Sequence, residues 1–206
     1  MLQAGGSLIR YGAKCGALPQ ELRRGFTKNS HASGLRDRAG GVEYDGGGNH
    51  VAGQRAAADF IDPGHHTRLT GTTSRNLDGW MLSRETNLAT YSRGTRQADI
   101  AVVEGVMGLF DGCDGRSEAG STAQMAKWLG LPVLLVVSAR SMARSAAALV
   151  QGFENFDPQV DFAGVVFNHL GSDRHLAYLQ EAMAGHVATP CLGGLRQGSV
   201  AAIPER

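Results

Sequence analysis

Lysine is nearly absent from this 206-residue chain: Lys14, Lys28 and Lys127 are the only three, and none follows a glycine. That excludes a Gly-x-x-x-x-Gly-Lys-(Ser/Thr) loop, whose backbone amides and lysine cradle the phosphates of a nucleotide. Cysteine is scarce as well. Cys15, Cys113 and Cys191 have neither metal-ligand spacing nor a disulfide framework, so they read as isolated reduced thiols. A net charge of +1 offers nucleic acid or an anionic membrane surface little to bind. No apolar run approaches the roughly 20 residues of a membrane span. Met1–Ala17 also lacks the continuous apolar core of a signal peptide. The expectation is a cytoplasmic protein with no nucleic-acid or membrane partner.

Glycine, by contrast, is abundant, with 29 residues unevenly spread. Residues 1–57 are rich in Gly, Arg, Ser and Asn and show no apolar periodicity, and Gly40-Gly41 and Gly46-Gly47-Gly48 fall within them. Such a stretch buries too little apolar surface to offset the entropy of ordering it. It is expected to be an atypical, poorly ordered segment. The abrupt change near Ala58 reads as the trace of a shifted reading frame or a fusion.

Beyond that point strands alternate with helices. Ile100–Glu104 reads as a strand. Ser121-Thr122 caps a helix through Trp128-Leu129, with Gly130 as its stop. Pro132–Val137 is a fully apolar, buried strand. Ser141–Phe153 reads as a helix with Ser141 or Ser138 near its cap. A strand at Phe162–Asn168, a helix from a Ser172 cap through Met183, and a last short strand at Ala188–Leu192 complete the pattern. This alternation predicts right-handed βαβ units and an α/β fold with a parallel sheet.

Two stretches carry chemistry. In the first, the apolar run Ile100–Val103 ends in Glu104, and a glycine-punctuated loop leads to Asp111 seven residues later. The carboxyl end of a parallel strand opens into the ligand crevice, so Glu104 stands where a metal or substrate binds. The second is Asp59-Phe60-Ile61-Asp62-Pro63-Gly64-His65-His66, followed by Asn76-Leu77-Asp78-Gly79-Trp80. Two carboxylates three residues apart suit a metal and a substrate group together. Asp-Pro-Gly is equally turn chemistry. Arg140, Arg144 and Arg174 read as solvated.

Together these stretches resemble the amino-terminal domain of the cobyrinate (or hydrogenobyrinate) a,c-diamide synthases, a dethiobiotin-synthetase-like branch of P-loop proteins. The resemblance covers about residues 59–206. It is most specific at Glu104-Gly105-Val106-Met107-Gly108-Leu109-Phe110-Asp111-Gly112 and extends to Ser121-Thr122-Ala123, Val166-Phe167-Asn168 and Gly171-Ser172-Asp173-Arg174-His175. It implies a P-loop-type parallel sheet flanked by helices, with the first βα unit aberrant or missing. Residues 58–206 would be a partial CobQ/CobB/MinD/ParA-type nucleotide-binding domain.

The activity implied is ATP-dependent amidation of the a- and c-side-chain carboxylates of cobyrinate through acyl phosphates, in cobalamin biosynthesis. Mg²⁺ and ATP are the implied cofactor and co-substrate, and a corrinoid is the implied partner. The resemblance gives Asp59 and Glu104 the Mg²⁺-site roles. It gives Asp62, Asp111 and His65 catalytic positions and Asn168 the nucleotide base, whose edge an amide suits by both donating and accepting. His66 reads as an additional, solvated loop histidine.

The chain departs from the family in two respects. Without a phosphate loop, ATP binding is expected to be weak, and the alternative is a non-catalytic remnant or interaction domain of the same fold. The sequence also carries no class I glutamine amidotransferase domain, so ammonia would be free or come from a separate glutaminase chain. A homodimer is left open.

Overall fold

Short apolar runs with capped helices between them fold into one sheet. The computed structural model describes residues 8–13, 51–56, 61–98 and 100–199. The strands are β1 (Leu8–Ala13), β2 (Val51–Ala56), β3 (Asn76–Leu77), β4 (Ile100–Gly105), β5 (Val133–Ser138), β6 (Phe162–Leu170) and β7 (Cys191–Arg196). Their order in the sheet is β3-β2-β4-β1-β5-β6-β7. The helices are α1 (Asp62–Thr70), α2 (Arg84–Thr95), α3 (Thr122–Leu129), α4 (Arg144–Phe156) and α5 (Asp173–Met183). The fold is α/β, with a largely parallel sheet flanked by helices.

One strand departs from the parallel arrangement. β1 runs antiparallel to both neighbours, β4 and β5. Leu8 lies opposite Gly105 and Ala13 opposite Ile100. The carboxyl end of β1 therefore emerges at the edge of the sheet opposite Glu104. Both β1 and β2 come from residues 1–57.

Local signals set most helix ends. Ser121 Oγ accepts the Gln124 N–H and opens α3, and Gly130 closes it in the left-handed conformation at φ 60°. Ser172 Oγ accepts the His175 N–H at the start of α5. The segment Asp62-Pro63-Gly64, for all its turn chemistry, opens α1. Proline is tolerated in a first helical turn because its missing N–H would have no partner there.

Two boundaries move. The helix expected from Ser141 begins at Arg144, because Ser141 is itself left-handed at φ 56°, and no side chain caps it. The last strand begins at Cys191 rather than Ala188. The Glu154 carboxylate accepts the N–H groups of Ala188 and Thr189, at 3.2 and 2.6 Å, which holds those residues off the ladder.

Burial alternates along β5, with Val133, Leu135 and Val137 inside, rather than extending over the whole run. Those three pack with Phe167 of β6, Val150 of α4 and Leu179 of α5 in the main core. A smaller cluster of Leu77, Val103 and Met125, joined by Trp128, lies behind the carboxyl ends of β3 and β4.

Candidate functional site

Parallel pairing of β2 with β4 sets Arg55 directly beside Glu104. Helix α1 then crosses over them. Asp62 and His66 are four residues apart and share a helix face, which turns both toward the strand ends. Arg55 forms an ion pair with Asp62, and its Nη1 lies 3.5 Å from Glu104 Oε2. His66 Nε2 lies 3.1 Å from the same oxygen. Gly53 permits this closeness, since a Cβ there would come within 3.1 Å of His66 Cβ.

The Arg55 side chain is only 8% exposed. The close approach of the His66 imidazole is the main reason the Glu104 carboxyl sits below its ordinary range. Burial opposes that shift, and the charges of His66 and Arg55 reinforce it.

His65 is exposed on α1. One residue advances a helix by about 100°, so His65 and His66 cannot both face Glu104. Asp59 lies outside the described residues.

Beside this cluster opens a cavity of about 360 Å³, lined among others by Ala56, Leu77, Trp80, Met107, Asp111 and Ser121. Asp111 is exposed in the loop after β4. Its N–H donates to Gly108 O at 3.1 Å, and its carboxylate lies over Gly108, where a Cβ would collide with it. Trp80 and Met107 are 70% and 63% exposed.

Asn87, missed by sequence reasoning, holds the opposite wall. It is fully buried on α2. Its Oδ1 accepts the Asp78 N–H, and its Nδ2 donates to the carbonyls of Asp78, Leu82 and Ser83. Nothing in its sequence context signals that role.

Asn168 stands apart from the acidic residues, near the end of β6 and three strands along the sheet from β4. At the usual strand spacing that is about 14 Å. Its Oδ1 accepts the His169 N–H at 2.8 Å, which leaves its amide N–H groups to a ligand. His169 is left-handed at φ 60°, and its Nδ1 lies 3.0 Å from Ser138 Oγ.

The structure thus brings Asp62 and Glu104 together and sets Asp111 on the neighbouring cavity, with His65 and Asn168 elsewhere. Among the described residues, no three His, Cys, Asp or Glu side chains stand close enough to hold a metal ion. Mg²⁺ requires a near-octahedral oxygen shell, whereas Asp62 and Glu104 share a guanidinium. Asp62 and Glu104 by themselves do not supply such a shell, and Asp59 lies outside the described residues. For a nucleotide, the Asn168 amide fits one half of a base edge.

A parallel α/β sheet with carboxylates at its strand ends is the architecture of a nucleotide-handling domain, and the chain belongs to the AAA domain family, which matches residues 39–198. Its relatives among curated proteins are more particular. It is 48% identical to the hydrogenobyrinate a,c-diamide synthase of Streptomyces coelicolor, over 76% of this chain and 32% of that protein. It is 43% identical to the cobyrinate a,c-diamide synthase of Dehalococcoides mccartyi, over 77% of this chain and 34% of that protein. With the cobyrinate a,c-diamide synthase of Syntrophotalea carbinolica, identity is 40% over 97% of this chain and 40% of that protein. The chain spans 32–40% of the length of these relatives. No solved structure matches it.

Proposed function

We propose that the chain is the carboxylate-activating portion of an ATP-dependent carbon–nitrogen ligase that amidates the a- and c-side-chain carboxylates of cobyrinate or hydrogenobyrinate. The observation that carries this reading is 40–48% identity to three synthases of that name over most of the chain. ATP, when bound, supplies the γ-phosphoryl group that converts a carboxylate into an acyl phosphate, which ammonia then displaces to leave the amide.

In this reading the cavity between Trp80 and Asp111 receives the reacting side chain of the corrinoid. Trp80 and Met107 supply apolar contact. Asp111, exposed at the mouth, accepts a proton from the attacking nitrogen. Arg55 and His66 hold Glu104 ionised beside the cavity, and His66 takes the role that the motif first assigned to His65. Asn168 takes the nucleotide base, and ammonia is free or comes from a separate glutaminase.

The second reading is a non-catalytic remnant or interaction domain of the same fold. One observation favours it: β1 fills the centre of the sheet antiparallel, so its carboxyl end lies at the edge away from Glu104. The test is incubation with cobyrinate, ATP and ammonium, with amides counted by mass spectrometry. Slow amide formation that requires both ATP and ammonium and is lost in Asp111→Asn supports the ligase. Absence of amide, with no calorimetric heat from MgATP, supports the remnant.

A further inference from the structure

Taking a guanidinium out of water is costly unless carboxylates meet it, and a guanidinium does not escape by losing its proton. Arg55 is 8% exposed and has such partners from two directions. The parallel register of β2 and β4 sets it abreast of Glu104. The first turn of α1 brings Asp62 onto it, and one turn later His66 closes on Glu104 from the other side.

We infer that Arg55 is the resident cation of this acidic site and closes Asp62 and Glu104 to divalent metal. A divalent ion on Glu104 would sit about 2.1 Å from a carboxylate oxygen. One of the two Glu104 oxygens, Oε2, already has Arg55 Nη1 at 3.5 Å and His66 Nε2 at 3.1 Å, close charges although neither forms a hydrogen bond to it. Entry would set two positive centres against each other and draw a carboxylate away from a buried guanidinium. The positive charge at the strand ends is therefore fixed by the fold instead of recruited from solution. This inference stands on the geometry alone and holds whether or not the chain turns over a corrinoid.

Mn²⁺ titration of the full chain, read by the electron paramagnetic resonance signal of free Mn²⁺, tests it without any activity measurement. The unsubstituted chain and Arg55→Lys should bind Mn²⁺ no better than Glu104→Gln does. Arg55→Met, its fold checked by circular dichroism, should gain a site at least about tenfold tighter, from loss of the opposing charge. That gain should vanish in the Arg55→Met/Glu104→Gln double variant. A folded Arg55→Met that gains no site overturns the inference. Tight Mn²⁺ binding by the unsubstituted chain that is lost in Glu104→Gln also overturns it. This second comparison decides the matter even if Arg55→Met does not fold, since insensitivity to Glu104→Gln supports a closed site.

Discussion

Glu104 shows how one carboxylate links site and stability. Its carboxyl titrates below the ordinary range of 4.5 in the folded chain. A depressed folded value means that the unfolded chain binds the proton first as pH falls. Glu104 therefore contributes stability in full above its unfolded value and loses it as pH drops through the lower, folded one. Glu104→Gln should flatten the loss of stability as pH falls below 4.5, measured as urea midpoints on either side of that value. An unchanged slope would show that the His66 contact contributes nothing.

At this scale the sequence was uneven. Glu104 and Asp111 stood out because a strand end and a glycine loop flank them. Which of His65 and His66 faces Glu104 is not legible in the sequence, since adjacent residues differ only by helix phase. Arg55 was invisible for another reason: its neighbourhood is Gly- and Arg-rich, and only pairing with β4 makes it a buried cation.

Among the elements, what could be read was what is local. The Ser121 and Ser172 caps and the Gly130 stop are each a contact within three or four residues, so sequence alone exposes them. The starts of α4 and β7 depend on features that it does not. Ser141 is left-handed within a loop that His175 Nε2 reaches at Met142 O, 2.6 Å away and 33 residues on. β7 is delayed by Glu154, which lies 35 residues before Thr189.

Ser172→Ala should lower stability by about 1 kcal/mol, the usual worth of an N-cap. Gly64→Ala should raise it by about 0.5–1 kcal/mol, because a Cβ there meets open space inside a helix. Chemical denaturation of both variants checks the two signs together.

On the scale of the whole molecule, the direction of β1 is the fact that no periodicity encodes. Strand direction is a property of the sheet, and a six-residue run reads the same either way. Engineered cysteine pairs can read it. In a background lacking the three native cysteines, Ala13→Cys with Ile100→Cys should cross-link, since the two are ladder partners. Ala13→Cys with Gly105→Cys should not, being about five residues of strand, roughly 17 Å, apart. The reverse outcome would make β1 parallel.

The exposed indole at the cavity equips the chain with its own optical gauge. Of its two tryptophans, Trp80 stands in solvent at the mouth, while Trp128 is partly buried against Leu77, Val103 and Met125. An occupant of the cavity would dehydrate the first and leave the second nearly untouched. Emission from Trp80 would shift to the blue on filling, with Trp128 as an internal reference, so ligands can be screened without a label or a turnover assay.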